Sequence, residues 1–388
     1  MTTPKFVQVH WLASYPGTLL NRDDAGLAKR LPFGGATRTR VSSQCLKRHW
    51  RKADDAHALA SLGVPMGVRS RKTVEQLIVG PIAKPSGASE DVVNALVSAL
   101  AKEIYSEGAD DVRKRQALLL GRPEIEHLRA KAAEILRTST SKKDIEAKTK
   151  GLFKAERKNL EAMKNAAGLE AALFGRMVTS DVHANTDAAV HVAHAFTVHA
   201  EESESDYFTV VDDLSSRDEG DDAGAAGVFD QELTSGLYYG YVVVDVPQLV
   251  ENIEGVERAE WRASGTDRAL AGRVVDSLLH LIATVSPGAK LGGTAPYAYA
   301  DLVLVELGER QPRSLANAFR VPVPLRGDTL AGAMGQLAGQ LGALDEAYGG
   351  HEARRVTTIR PEGIGGIDRM SLDNLGQWVA RAITAGDL

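Results

Sequence analysis

Alternation of apolar and polar positions opens the chain. Around residues 5–12 the run FVQVHWLA alternates and carries β-branched residues, which predicts a first strand. The polar stretch SYPGTLLNRDDAG follows as a turn region broken by Pro16 and Gly17. In PFGGATRTRVSS, Gly34 and Gly35 precede a second extended run over Thr37 to Val41, and Ser42 or Ser43 then suits the N-cap of a helix beginning near Gln44. Between residues 88 and 175 the period changes to about 3.6. EDVVNALVSALAKEIYSEG, PEIEHLRAKAAEILRTS and KDIEAKTKGLFKAERKNLEAMKNAAGLEAALFG predict three or more helices inserted between two halves of a sheet. Alternation returns in DAAVHVAHAFTVHA (187–200) and SGLYYGYVVVDV (235–246). PQLVENIEG and TDRALAGRVVDSLLHLIATV predict helices, DLVLVEL (301–307) a strand, and 328–348 and 371–386 two further helices.

The resulting order is strand, helix, helical insertion, strand, long loop, strand, helix, strand. It predicts an α+β fold resembling a split ferredoxin-like β-α-β-β-α-β unit, which is also the skeleton of the RNA-recognition motif. The loop is residues 201–234, dense in Asp and Glu with Arg217 its only cation, and containing GDDAGAAG. Such a segment predicts a protruding hairpin or loop that a partner orders.

Composition narrows the setting. The 388 residues are 44% hydrophobic and 25% charged, ordinary for a globular chain long enough for two or three domain-sized units. No run of eighteen apolar residues predicts a membrane span. The N-terminus MTTPKFVQVHWL lacks the basic and small-residue segments of a signal peptide, and the lone Cys45 fits a reducing, cytoplasmic setting.

Charge changes the picture more. The chain is at −5 overall, yet Lys29 to Ala53 contains Lys29, Arg30, Arg38, Arg40, Lys47, Arg48, Arg51 and Lys52 with no acid. On a helix, Gln44, Lys47, Arg48 and Arg51 share one face while Leu46 and Trp50 face the core. Arg38 and Arg40, two apart on a strand, point to one side. Guanidiniums leading to a serine-rich helix start, with Ser42, Ser43 and Gln44 as neutral donors, are the mixture that phosphate contacts need. A solvated basic face is the plainer alternative, and the missing acids argue against it.

Other candidates are weaker. His183, His191, His194 and His199 cluster, but strand parity puts His191 and His194 on opposite sides, and no Cys lies near; satisfied sheet histidines are expected and no metal. In LNRDD, Asp23 and Asp24 follow Arg22 and would suit either Mg²⁺ or a turn cap, with the cap favoured. Met177 in GRMVTSD, and Tyr207 with Phe208 in DYFTVVDDL, would stack on bases or staple the loop to the body; both readings stay open. PGAKLGGTAP (287–296) does not match a phosphate-loop pattern and predicts a flexible connection whose Lys290 can touch a phosphate.

Taken in order, LNRDD, FGG before RTRVSSQCLKR, GRMVTS, VAHAFTVH, FTVVDDL, ELTSGLYYGY and PGAK resemble the repeated backbone subunit of the type I-E CRISPR surveillance complex Cascade, the CasC family. The resemblance runs from about residue 5 to about residue 320. It implies a hand-shaped fold: an RNA-recognition-like palm (1–60, 175–202 and 235–388, the last with the C-terminal helices), helical fingers (61–174) and a hairpin thumb (203–234). It implies copies stacked along a crRNA guide, each thumb reaching the next copy and displacing a nucleotide. Partners would be the crRNA, the target DNA strand, further copies of the chain and other Cascade subunits, with no membrane and no cofactor. Carried over, Arg40, Ser42, Ser43, Gln44, Lys47, Arg48 and Arg51 hold the RNA backbone, Met177 packs on bases beside Thr179, and Phe208 with Thr209 sits at the kink. Arg22, Arg38 and Lys290 join the RNA-binding set. A non-catalytic scaffold is thus expected. The alternative is a metal-dependent ribonuclease of the same superfamily using Asp23 or Asp24.

Overall fold

The computed structural model describes residues 3–105, 109–139, 141–162, 168–176, 185–211 and 225–386. Two compact units divide the chain: Met1–Ala58 with Val192–Val244 and Gly272–Leu388, and Leu59–His191 with Asp245–Ala271.

In the first unit the predicted alternation becomes one large sheet. Its elements are β1 (Phe6–Thr18), β2 (Arg30–Phe33), β3 (Ala36–Val41), α1 (Ser43–Lys52), β4 (Ala195–Thr197), β5 (Ser203–Val211), β6 (Ala225–Asp245), α2 (Ala269–Thr284), β7 (Leu302–Gly308), α3 (Thr329–Tyr348), β8 (Ala353–Thr358) and α4 (Leu372–Ala385). The sheet order is β8-β7-β1-β6-β4-β3-β2, and β5 pairs with β6. Within it β1, α1, β4, β6, α2 and β7 follow the predicted strand–helix–strand–strand–helix–strand order, with β7-β1-β6-β4 side by side.

Three differences from the sequence reading have local causes. β2 is an added strand, joined to β3 by Gly34 and Gly35, whose φ angles of 62° and 78° make the two-residue turn that a hairpin favours. A Cβ at Gly34 would fall 1.6 Å from the Arg320 carbonyl oxygen, so that turn also needs the bare backbone. The expected strand over 187–200 is broken into Val190–Val192 and β4. β8 went unpredicted: ARRVTT carries two adjacent arginines and a single aliphatic β-former, and it is a strand because Val305, Glu306 and Leu307 of β7 pair with it.

Both faces of the sheet are covered. Val7, Val9 and Trp11 of β1 are buried on one, where Trp11 meets Trp50 of α1 edge-on at 6.0 Å. β6 passes so close that a Cβ at Gly240 would lie 2.0 Å from the Trp11 ring. The other face, bearing Leu12, Tyr239, Leu302, Leu304 and Val356, packs on Phe319 and on Leu330, Met334 and Leu337 of α3.

One buried charge sits under that second layer. Glu306 accepts from Arg313 at 2.6 and 2.9 Å, from Arg354 at 2.7 Å and from His10 Nε2 at 3.1 Å. His10 Nδ1 accepts from the Tyr239 hydroxyl (2.9 Å), which in turn accepts from the Leu315 N–H (3.1 Å). Burial alone would raise the Glu306 pKa, but the hydrogen bonds from Arg313 and His10 outweigh it and hold the carboxyl well below its usual range. Burial pushes His10 down, so it stays neutral, with its proton on Nε2.

The second unit is helical, as expected. Glu90–Tyr105, Arg122–Thr138 and Lys142–Ala162 surround Ile78, Leu96, Leu100, Leu128, Ile135 and Ile145, beside a two-stranded antiparallel sheet of Gly67–Ser70 with Leu118–Gly121. Its limits differ from the expected 61–174. Residues 175–176, 185–191 and 245–271, assigned from sequence to the sheet portion, fall in this unit. The reason is polar: Asn252 of the helix Val246–Glu254 donates to the carbonyls of Ala172 (2.9 Å) and Asp187 (2.8 Å). Among the described residues no helix is long and apolar enough to cross a membrane.

Replacing Glu306 by Gln is expected to destabilise the protein by about 3–5 kcal/mol at pH 7, since two guanidiniums lose their buried counter-charge. The sign with pH follows from the lowered carboxyl: its contribution is full above the unfolded carboxylate pKa and fades as pH falls toward the folded value. Urea midpoints at pH 7 and pH 4 check both points; the Gln variant should lose stability less steeply with acid.

Candidate nucleic-acid interface

α1 starts where the serines predicted it. The Ser42 hydroxyl accepts from the Cys45 N–H (3.3 Å), and the Ser42 N–H donates to the Asn21 side chain (3.0 Å). Leu46 and Trp50 are buried, while Gln44 and Arg48 are exposed and Lys47 and Arg51 half-buried. His49, Arg51 and Lys52 occupy the last turn, where the helix dipole favours cations, and the first turn holds no acid. The basic face read from the sequence therefore exists on the surface. Burial depresses the Lys47 ammonium below the usual lysine range.

Three members of the expected set turn inward. Arg38 is 0% exposed, and its guanidinium donates to the carbonyls of Phe33 (3.3 Å), Thr197 (3.0 Å) and Phe319 (2.9 Å). This corrects its reading as a phosphate contact: Arg38 holds β3 to β4 and to the segment before α3. Ser42 and Ser43 are buried too; the first is a helix cap and the second donates to the Gln44 side chain at 3.3 Å. Strand parity gave Arg38 and Arg40 one side, but only Arg40 stays partly open. Its guanidinium donates to the Arg30 carbonyl (3.0 Å) and to His194 Nδ1 (2.9 Å). Burial, with Arg40 and Lys29 nearby, lowers the His194 pKa and keeps that acceptor neutral.

The loop before β2 carries Arg22, exposed, and the two aspartates. Asp23 Oδ1 accepts from the Ala25 N–H (2.9 Å) and the Leu27 N–H (3.0 Å), the turn-cap role favoured from sequence. Among the described residues no cluster of three His, Cys, Asp or Glu could hold a metal. His199 Nδ1 donates to the Ala200 carbonyl and Nε2 accepts from the Leu237 N–H, as expected for a satisfied sheet histidine. Burial raises the Cys45 thiol to about 11, so it is no nucleophile near neutral pH.

β5 and β6 form the hairpin expected over 203–234, with its apex outside the described residues. Pairing of Phe208 with Phe229 and of Asp206 with Gln231 puts these four on one face; Tyr207, Thr209, Asp230 and Glu232 lie on the other. Phe208 and Thr209, expected to act together, thus point opposite ways. Phe208 is 40% exposed and stacks on Phe229, with centroids 5.6 Å apart. Nothing in the sequence marked Phe229, because only the register across the hairpin places it there.

Each hairpin face has its own anchor. On the Glu232 side, Arg30 binds both Glu232 and Glu201, and Glu232 accepts from the Ala28 N–H at 2.6 Å. On the Phe208 side, Lys290 donates to Gln231 at 2.7 Å. The Lys290 loop is also tied to α1, since the Gly288 N–H donates to His49 Nε2 (3.3 Å), and to the residue after β1, since the Ala289 N–H donates to the Leu19 carbonyl (3.0 Å). α1, this loop and the Phe208 face therefore adjoin. Met177, Thr179 and His183 lie outside the described residues.

A single-stranded polyanion fits such a surface: cations and an amide on α1, a lysine, and an aromatic pair. It cannot use the flat of the sheet, because α3 and Phe319 cover the face with Tyr239.

Comparison with known proteins agrees in kind. The family model described as CT1975-like protein matches residues 7–380. A chain from a solved structure titled "CRISPR RNA-guided surveillance complex, pre-nicking" is 26% identical with a TM-score of 0.76, covering 97% of this chain and 100% of that one. A chain from a second, titled "CRISPR RNA-guided surveillance complex", is 21% identical with a TM-score of 0.66, covering 96% and 99%, which shows a shared mixed α and β fold. No curated protein sequence matches the chain.

Two arginines ten residues apart should behave oppositely. Arg38→Ala leaves two buried carbonyls and a partly buried one without their donor and should lower thermal stability sharply, by about 3 kcal/mol or more. Arg48→Ala, at an exposed position, should leave the melting temperature within a degree or two while weakening binding to a single-stranded oligonucleotide. Differential scanning fluorimetry and fluorescence anisotropy on the same samples read both.

Proposed function

The chain belongs to the family of CT1975-like proteins, and from that premise we propose that it is a Cascade-type CRISPR subunit, the non-catalytic type I-E backbone protein of the CasC kind. It grips crRNA by its phosphate backbone without reading sequence, adds copy by copy along it, and presents the guide to the target DNA strand. The observation that carries this reading is the outward face of α1, where Gln44, Lys47, Arg48 and Arg51 stand together with no acid in the helix. Likeness over almost the whole chain to a chain from a CRISPR RNA-guided surveillance complex supports it.

The contacting set is Arg22, Arg40, Gln44, Lys47, Arg48, Arg51 and Lys290 for phosphate and sugar, with Phe208 and Thr209 at the hairpin; Met177 and Thr179 join it from the sequence resemblance alone. Sequence-independent gripping needs this distribution, since backbone contacts position a strand and carry no base information. The first unit serves as an RNA-recognition-like palm whose sheet face is closed, the second as fingers, and the hairpin as a thumb. Glu202, Glu204, Asp206 and Asp230 are exposed on the described part of that hairpin. They suit a head-to-tail contact with the basic surface of the next copy, the kind of interface that builds filaments. Glu201 and Glu232 do not take part, being held by Arg30 of their own chain. Asp23 is engaged by two loop amides, which supports a cap over a metal-dependent cleavage role.

The expected result for Lys47→Ala combined with Arg51→Ala is weaker RNA binding across all sequences, with the slope of log affinity against log salt reduced by about 0.7 for each lost phosphate contact. Unchanged affinity overturns the assignment. Native mass spectrometry should show copies added in step with RNA length. Labelled RNA incubated with Mg²⁺ should stay intact; cleavage that disappears in Asp23→Ala or Asp24→Ala would establish the ribonuclease instead.

A further inference from the structure

Two of the most exposed large side chains in the first unit belong to one short segment. Tyr297 is 74% exposed and Tyr299 75%, in PYAYA at the end of the loop that carries Lys290. Exposure alone means little at single positions, but these two are placed together by the backbone. Ser286 Oγ donates to the Ala298 carbonyl and accepts from the Ala298 N–H, both at 2.9 Å. Both polar groups of Ala298 therefore point at Ser286, and Pro296 is buried while Tyr297 and Tyr299 face out. The alternation is that of an extended segment, in which residues two apart share a side at about 6.6 Å.

The segment is also held firmly. The Ala300 N–H donates to the Ala283 carbonyl (2.7 Å), and the Asp301 N–H donates to the Leu12 carbonyl (2.8 Å), fixing the segment to α2 and β1. At its start Ala295 has φ 40° and ψ 58°, the one positive φ at a non-glycine among the described residues. L-residues adopt that conformation at a penalty of order 1–3 kcal/mol and keep it only where the surroundings impose it. The residue turns the chain from the Lys290 side into the tyrosine pair.

The surroundings suit a nucleic acid. SPGAKLGGTAPYAYA (286–300) contains one lysine and no acid, so nothing in the loop repels phosphate. Its first residues are bonded to His49 of the basic helix and to Gln231 on the Phe208 face of the hairpin. Tyrosine offers a flat ring with two side-chain rotations to lose, and every base has a π-face for it to meet.

We propose that Tyr297 and Tyr299 form a stacking platform for two bases of the single strand whose phosphates lie on α1. A spacing of about 6.6 Å leaves room for each ring to meet its own base. This rests on the strand-binding function proposed above and adds base contacts on the Lys290 loop, separate from those of the hairpin.

The test compares a normal RNA oligonucleotide with an abasic one of equal length and charge, using the full chain. Wild type should prefer the normal RNA. Tyr297→Ala with Tyr299→Ala should lower its affinity roughly tenfold or more, leave abasic affinity unchanged, and leave the salt slope unchanged. Tyr297→Phe with Tyr299→Phe keeps the rings and should retain wild-type affinity. Equal affinity of the Ala variant and wild type for normal RNA overturns the platform while leaving the proposed function intact. Normal affinity for a short RNA that holds one copy, with fewer copies on a long RNA, also overturns it, by assigning the tyrosines to contact between copies. Failure of wild type to bind any RNA defeats the underlying function itself. Circular dichroism and melting temperature of each variant confirm that the fold is kept.

Discussion

Apolar packing on both faces of the first unit's sheet decides where its polar chemistry can go. Trp11 and Trp50 close one side; Phe319, Leu330 and Leu337 close the other over Tyr239. A strand buried on both faces offers a ligand nothing except its ends and edges. The exposed groups gather away from the buried surfaces: on the outward side of α1, on the β5–β6 hairpin where the strands run past the sheet, and on the Lys290 loop before β7. An open RNA-recognition sheet stacks bases on its flat face. This fold has that order of strands and lacks that free surface, so its exposed aromatic rings lie on projecting segments.

Closing the second face also traps charge. Glu306 lies under the α3 layer and remains ionised because Arg313, Arg354 and neutral His10 all donate to it. The same logic explains Arg38. A guanidinium removed from water needs acceptors, and the carbonyls of Phe33, Thr197 and Phe319 supply them around β3. At the hairpin base, Arg30 faces both Glu201 and Glu232, which locks the hairpin to β2. Half-exposed ion pairs of this kind contribute modestly to stability, yet a two-carboxylate fork fixes direction well. The basic run and the acidic segment therefore meet first inside one chain, at Arg30, and only the remaining charges face outward.

Much of the architecture was legible from periodicity. The opening strand, the helix from Ser43, three helices of the second unit, β7, α3 and α4 follow from spacing and caps, because those signals are local. The outward face of Gln44, Lys47, Arg48 and Arg51 was legible for the same reason: helix phase needs no partner. β8 was not, since ARRVTT becomes a strand only by pairing with β7. The membership of Val246–Glu254 in the helical unit was not, since it depends on where the Asn252 amide finds its acceptors.

The sequence by itself determined the order of elements, the helix and strand periods, and the net sign of each segment, all set by neighbours a few residues away. Tertiary structure decided which charges are available. It buried Arg38 while leaving Arg48 in water, gave Ser42 to a helix end, and put Phe208 and Thr209 on opposite sides of a hairpin. It also brought His49, Gly288, Lys290 and Gln231 into one chain of contacts, one of which joins positions 239 residues apart. Whether a polar group serves the fold or a ligand depends on which distant acceptor reaches it first, and that distance exists only once the chain has folded.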